Sequence, residues 1–127
     1  SVHLPEAGEE VDLNHFSETV KKYVGAGIDS LLFDTAAVTG GKMKFGGTGI
    51  TSDWNAVKQM MDTLEIPVPV WLAGGVNPDN VAEALDSTDP HGIDLCSGVE
   101  AEPGRKDPAK VEALMKTIRE KSASRRQ

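Results

Sequence analysis

Short apolar runs alternate with amphipathic stretches along most of this chain. Ser30-Leu31-Leu32-Phe33 runs into Asp34, Val68-Pro69-Val70-Trp71-Leu72-Ala73 into Gly74-Gly75, and Gly92-Ile93-Asp94-Leu95-Cys96 into Ser97-Gly98. Runs of this kind predict strands near Leu31–Asp34, Val70–Ala73 and Ile93–Cys96, buried on both faces as in a parallel sheet. The stretches between them have helical spacing. Phe16, Val20, Tyr23 and Val24 share one face of a helix over Leu13–Val24, which Gly25 and Gly27 can end. Asp53 reads as the N-cap of a helix over Trp54–Leu64, with Val57, Met60, Met61 and Leu64 on one side. Asn77-Pro78 opens the next helix and Asp107-Pro108 the last. Their apolar faces are Val81, Ala84 and Leu85, then Val111, Leu114, Met115 and Ile118.

The order is therefore (β)α-βα-βα-βα, an α/β arrangement of parallel strands with helical crossovers. Val2-His3-Leu4 is all that stands for the first strand. A complete (βα)8 barrel needs about 200 residues or more, so the 127 residues here form part of one if they are barrel-like. The polar, basic stretch Lys121–Gln127 is expected to fray and be disordered.

Composition narrows the classes. Hydrophobic residues make up 39% and charged residues 26%, the balance of a globular protein, and no apolar run approaches the ~18 residues of a membrane span. A net charge of −7 opposes non-specific nucleic-acid binding, because the field of the molecule repels phosphate backbones, yet a local site can still hold a small phosphate. Cys96 is the only cysteine, which rules out an internal disulfide or a zinc cluster and fits a reducing compartment such as the cytoplasm.

In parallel βα folds, ligands bind at the C-terminal ends of the strands. The residues after each apolar run are thus the candidates. Asp34 follows a very apolar strand and can serve as a general acid; the plainer alternative is an Asp bonded to nearby loop amides. Thr35–Ser52 is long for a βα loop and carries Gly40-Gly41 and Gly46-Gly47-Thr48-Gly49. Such a loop is a lid or ligand cradle, or simply a surface loop. Gly74-Gly75 and Ser97-Gly98 follow consecutive strands, and their backbone amides can hold a phosphate dianion without an arginine. The bland reading makes them two helix caps. Cys96 reads as a packed small hydrophobe, and His3, His15 and His91 receive no role. No metal-binding, nucleophile-elbow or P-loop motif is present.

These motifs together resemble the phosphoribosylanthranilate isomerase family. Leu31-Leu32-Phe33-Asp34, then Gly46-Gly47-Thr48-Gly49 and Asp53-Trp54, is similar to its sixth-strand segment. Leu72-Ala73-Gly74-Gly75-Val76-Asn77-Pro78-Asp79-Asn80-Val81 is similar to its seventh. Gly92-Ile93-Asp94-Leu95-Cys96-Ser97-Gly98-Val99-Glu100, with Pro103-Gly104-Arg105-Lys106-Asp107, is similar to its eighth. The resemblance runs from about Asp29 to Ile118. It implies that 1–127 is the C-terminal half of a TIM (βα)8 barrel, from about the end of strand five to helix eight.

It also implies an Amadori rearrangement in tryptophan biosynthesis: N-(5-phosphoribosyl)anthranilate becomes the carboxyphenylamino-deoxyribulose 5-phosphate, without metal or organic cofactor. The family's general acid maps onto Asp34, its phosphate-binding amides onto Gly74, Gly75, Ser97 and Gly98, and its substrate loop onto Gly46, Gly47, Thr48 and Gly49. Its general base, a Cys on the first strand, and an Arg after the second have no counterpart here. The 127 residues alone are therefore expected to be inactive and to need the missing N-terminal half-barrel or a homo-oligomer, with no nucleic-acid or membrane partner. Ala36–Phe45 is longer than the family pattern, and Thr51-Ser52 replaces an aromatic position. Two other readings stay open: another phosphosugar-binding barrel enzyme, and a non-catalytic half-barrel that assembles with a partner.

Overall fold

The computed structural model describes residues 1–3, 13–34 and 49–125. The elements follow in the order β1 (Val2–His3), α1 (Leu13–Gly25), β2 (Leu31–Asp34), α2 (Gly49–Leu64), β3 (Val70–Ala73), α3 (Val81–Thr88) and β4 (Gly92–Asp94). After β4 come a 3₁₀ turn (Ser97–Val99), a small hairpin of β5 (Glu100–Glu102) and β6 (Arg105–Lys106), and α4 (Pro108–Arg125). The first four strands form one parallel sheet in the order β1-β2-β3-β4. Each connection therefore steps in the same direction. Right-handed crossovers that all step one way lay every helix on the same face.

The core follows from that geometry. Leu31 and Phe33 of β2 and Val70 and Leu72 of β3 point to the helical face. They pack with Phe16 and Val20 of α1, Trp54 and Val57 of α2, Val81, Ala84 and Leu85 of α3, and Leu114 of α4. Phe16 and Phe33 stack with ring centroids 5.5 Å apart, within the range of favourable aromatic pairs. The intervening residues face the other way. Leu32 is half-buried and Trp71 is 42% exposed. The apolar runs that suggested strands buried on both faces are thus covered on one face only among the described residues. A run of Leu and Trp cannot reveal which neighbours its second face lacks.

Several boundaries depart from the sequence reading. Helix α2 begins at Gly49, four residues before the proposed cap at Asp53. Thr51, Ser52 and Asp53 are three cap-type residues in a row, so residue type alone did not choose among them. Strand β4 stops at Asp94 rather than at Cys96, because the backbone turns at Cys96 (φ −133°, ψ −77°) into the 3₁₀ turn. The polar tail is not frayed as far as Arg125. It continues α4 because Lys121 pairs with Asp86, and Arg125 pairs with Asp89 and donates to the Leu85 carbonyl. Residues 126–127 lie outside the described residues. The apolar stripe of α4 is also only partly buried: Leu114 is in the core and Ile118 packs against it, while Val111 and Met115 are exposed.

Asp107 caps α4 as expected, its Oδ1 accepting the Ala109 and Lys110 amides at 2.9 and 3.3 Å. Asn77 caps a turn rather than the helix itself. Its Oδ1 accepts the Asp79 and Asn80 amides at 2.9 and 3.2 Å, and α3 starts only at Val81. His91, given no role, has a structural one. Its Nδ1 accepts the Val70 amide at 3.2 Å while its own amide donates to the Val70 carbonyl at 2.8 Å, fixing where β4 joins β3.

The one-sided core predicts an asymmetric response to truncation. Leu72→Ala should cost roughly 2–5 kcal/mol in urea denaturation, whereas Val111→Ala should stay within about 0.5 kcal/mol. Similar losses for the two would contradict the assignment of faces.

Candidate functional site at the C-terminal ends of the strands

Parallel register brings the strand ends to one level. His3 pairs with Asp34, Asp34 with Ala73, and Ala73 with Asp94. Strand residues alternate between faces, and Leu31, Phe33 and Leu72 are in the core. Asp34, Ala73 and Asp94 therefore belong to the opposite, bare face. Neighbouring strands lie about 4.8 Å apart, which sets the Asp34 and Asp94 backbones on the order of 10 Å from each other. Asp94 was missed in the sequence reading. The period of two in Gly92-Ile93-Asp94 carries the signal, since Ile93 packs against the core and Asp94 must then face away from it.

Directly above this level the β3–α3 loop turns through Gly74 (φ 90°) and Gly75 (φ 69°). Both lie in the left-handed region, where a side chain is strained and glycine is not. The loop is then held by a ring of amides. Asn80 Nδ2 donates to the Gly75 carbonyl at 2.8 Å, and Asn80 Oδ1 accepts the Asn77 amide at 2.8 Å. The second glycine signal meets the first here. A Cβ on Gly98 would lie 1.8 Å from the Val76 carbonyl oxygen. The 3₁₀ turn after β4 thus rests backbone to backbone on the residue that follows Gly75. Asn77, Pro78 and Asp79 on one side, and Ser97, Gly98 and Lys110 on another, line a cleft beside this junction.

The hairpin after the turn carries a compact polar cluster. Lys106 Nζ donates to Glu100 Oε1 at 2.8 Å, to the Cys96 carbonyl at 3.0 Å and to Cys96 Sγ at 3.3 Å. Cys96 Sγ also lies 3.4 Å from Glu100 Oε1. Cys96 is exposed, not packed as its apolar neighbours suggested, because β4 ends before it. The hydrogen bond from Lys106 is the main cause holding the Glu100 carboxyl below its usual range, and the same bond raises Lys106. Lys110 Nζ donates to the Glu100 carbonyl at 2.7 Å, and the Asp107 amide donates to the Val99 carbonyl at 2.8 Å, so α4 and the turn are tied together.

The structure therefore rests Gly98 on Val76, the residue after Gly74-Gly75, and sets Asp34 at the strand-end level beside the start of that loop. Gly46, Gly47 and Thr48 lie outside the described residues, and Gly49 is the first residue of α2. Among the described residues no group of three or more His, Cys, Asp or Glu is arranged to hold a metal ion, and no helix is long and apolar enough to cross a membrane.

Comparison with known proteins agrees with the fold. The family model for N-(5'-phosphoribosyl)anthranilate (PRA) isomerase matches residues 7–117. The N-(5'-phosphoribosyl)anthranilate isomerase of Methanocella arvoryzae is 39% identical over 94% of the chain and 49% of its own length. The crystal structure of phosphoribosyl anthranilate isomerase from Thermotoga maritima is similar with a TM-score of 0.64 and 27% identity, over 93% of this chain and 49% of that one. A phosphoribosyl anthranilate isomerase solved with reduced 1-(o-carboxyphenylamino)-1-deoxyribulose 5-phosphate shares the fold, with a TM-score of 0.61 and 24% identity over 93% of this chain and 46% of that one. The chain spans about half the length of the relatives it matches.

The Glu100–Lys106 pair sets a pH dependence for the hairpin. A carboxylate whose folded pKa is lowered adds stability above its unfolded pKa and loses it as pH falls through the folded value. The protection factors of the Glu100–Lys106 amides, taken relative to intrinsic exchange at each pH, should accordingly fall on acidification below the usual carboxylate range, and Glu100→Gln should abolish that step. A hairpin equally protected at neutral and strongly acid pH would contradict the pairing.

Proposed function

The chain belongs to the N-(5'-phosphoribosyl)anthranilate isomerase family, and from this we propose that it contributes the phosphate-binding and proton-donating part of such an isomerase. On this reading 1–127 is the C-terminal half of a (βα)8 barrel, and the complete enzyme acts in tryptophan biosynthesis in the cytoplasm. The observation that supports it is the packing of the Gly98 turn on Val76, directly after the left-handed Gly74-Gly75 turn, beside a row of strand-end residues that includes Asp34 and Asp94. Backbone amides in a left-handed glycine turn and at the start of a 3₁₀ turn suit a phosphate dianion. A carboxyl beside them suits the sugar ring of the same substrate.

The chemistry follows from those positions. The amides of Gly74, Gly75, Ser97 and Gly98 hold the 5-phosphate of N-(5'-phosphoribosyl)anthranilate. Asp34 donates its proton to the furanose ring oxygen as the C1–O bond breaks. The lone pair of the anthranilate nitrogen fills the gap and leaves a protonated Schiff base. A base then removes the C2 proton to give an enolamine, which becomes the ketone, so atoms and electrons balance within one molecule. Gly46, Gly47, Thr48 and Gly49 belong to the loop that covers the substrate. The base comes from the completing half of the barrel, and the 127 residues alone bind phosphate weakly and do not turn over. Asp94, on the same face as Asp34, supplies a second carboxylate toward the sugar.

Two measurements test this. Inorganic phosphate titrated into the ¹⁵N-labelled chain should shift the amides of Gly74, Gly75, Ser97 and Gly98; shifts confined to Lys121–Arg125 would refute the anion site. In the completed enzyme, Asp34→Asn should lower turnover by roughly 10²–10⁴-fold, the usual contribution of a positioned acid, with phosphate affinity kept. Near-normal turnover would remove Asp34 from the mechanism.

A further inference from the structure

Lys106 makes one contact that its hairpin does not require. On β6 it pairs in register with Glu100 of β5, which accounts for its ion pair with the Glu100 carboxylate at 2.8 Å. Its Nζ also donates to the Cys96 carbonyl at 3.0 Å and to Cys96 Sγ at 3.3 Å, outside the hairpin and ten residues back. The Lys106 side chain is 49% exposed and its carboxylate partner only 12%. With solvent on one side and a carboxylate at its tip, little of its charge reaches through the turn. What it gives Cys96 is a directed N–H.

The Cys96 carbonyl belongs to the Cys96–Ser97 peptide. At φ −133° and ψ −77°, Cys96 turns that peptide out of the course of β4, and its carbonyl meets Lys106. No cis peptide occurs among the described residues, and the C=O and N–H of a planar trans peptide point opposite ways. Lys106 on the carbonyl therefore fixes the Ser97 N–H on the other side. The 3₁₀ turn begins at Ser97, and the first amides of a helical turn have no acceptor within it. A hydrogen bond on the carbonyl also polarises the peptide and strengthens its N–H as a donor.

Two neighbouring side chains grip backbone carbonyls in a similar way. Asn80 Nδ2, a neutral donor, holds the Gly75 carbonyl at 2.8 Å. Lys110 Nζ holds the Glu100 carbonyl at 2.7 Å and so ties α4 to the hairpin. Lys106 differs from both, because its bond falls on a peptide whose N–H is one of the proposed phosphate amides.

We propose that Lys106 is a positioning residue for the phosphate end of the substrate: its ammonium holds and polarises the Cys96–Ser97 peptide, so that the Ser97 N–H is presented to the anion. Lys106 itself does not touch the phosphate. This role rests on the phosphate reading given above and extends that site to the hairpin. Glu100 is not required for it, since an ammonium has three N–H donors and the one on the Cys96 carbonyl is not the one on the carboxylate.

The test titrates inorganic phosphate into the ¹⁵N-labelled chain and four variants. Lys106→Gln removes the ammonium, Lys106→Arg keeps a cationic donor, and Glu100→Gln removes the ion pair alone. Lys116→Gln, at an exposed position of α4, makes the same change of charge elsewhere. The ¹⁵N shift of an amide responds to a hydrogen bond on the carbonyl of its own peptide. Before phosphate is added, the Ser97 signal should therefore move in Lys106→Gln and return toward its place in Lys106→Arg. Phosphate affinity should fall about threefold to tenfold in Lys106→Gln, the scale of one hydrogen bond. It should stay within about twofold in Lys106→Arg and Lys116→Gln, as for a screened surface charge, and be kept or rise in Glu100→Gln. In the completed enzyme the loss in Lys106→Gln should appear in KM with kcat kept, the mark of binding shared by ground and transition states. An unmoved Ser97 signal, unchanged affinity in Lys106→Gln, an equal loss in Lys116→Gln, or a fall in kcat instead of a rise in KM would each overturn the proposal. So would equal losses in Glu100→Gln and Lys106→Gln, which would make Lys106 a strut of the hairpin only. Should Lys106→Gln open the hairpin, Glu100→Gln decides by itself: affinity lost with the ion pair overturns the role, and affinity kept supports it. Phosphate that shifts none of Gly74, Gly75, Ser97 and Gly98 in the unsubstituted chain overturns the anion site and this role together, whereas binding there that ignores Lys106→Gln overturns this role alone.

Discussion

Four parallel strands laid down in chain order give their crossovers no choice of side. Each must be right-handed, and each steps the same way, so α1, α2 and α3 gather on one face of the sheet, where Leu114 of α4 joins their core. That constraint sorts the side chains of every strand. Leu31, Phe33, Val70 and Leu72 go to the helices and make the core, and Leu32, Trp71, Asp34 and Asp94 go to the other face. A doubly wound sheet, whose order reverses part-way, would have covered both faces and buried Trp71. It would also have placed its ligand crevice at the reversal, and this sheet has none.

The same constraint stacks the chemistry at one end. Parallel strands in register finish together, so the loops after β3 and β4 leave from one level, beside the end of β2 at Asp34. At that end of the sheet, the backbone contact between Gly98 and the Val76 carbonyl joins the loops after β3 and β4. A larger residue at 98 would push the 3₁₀ turn off the β3–α3 loop and part the two sets of amides. The hairpin cluster of Glu100, Lys106 and the Cys96 carbonyl, with Lys110 reaching from α4, fixes the far side of the turn. The proposed anion site is in this sense one of packing rather than of charge, which suits a chain with more acids than bases.

What was legible in the sequence follows from how local each signal is. The strands around Leu31–Asp34 and Val70–Ala73 and the helix over residues 13–24 were legible because apolar runs and helical periodicity are local. So were Asp107 as a cap and the paired glycines after consecutive strands. The exposure of Cys96 and the early end of β4 were not, because Leu95-Cys96 is as apolar as the strand before it and only the turn into Ser97 ends the pairing. The helical course of Lys121–Arg125 was hidden as well. Its cause is pairing with Asp86 and Asp89, more than thirty residues away. Asp94 was readable in principle, but its face is set by register with Ala73, a relation between strands and not within one.

The most direct measurement of the central claim is a crystal structure of the completed barrel holding reduced 1-(o-carboxyphenylamino)-1-deoxyribulose 5-phosphate. The phosphorus should sit between the backbone amides of Gly74-Gly75 and Ser97-Gly98, with the sugar chain running toward Asp34 on the face opposite the helices. A phosphate bound instead by side chains of the Cys96–Lys106 hairpin, or on the helical side of the sheet, would contradict it.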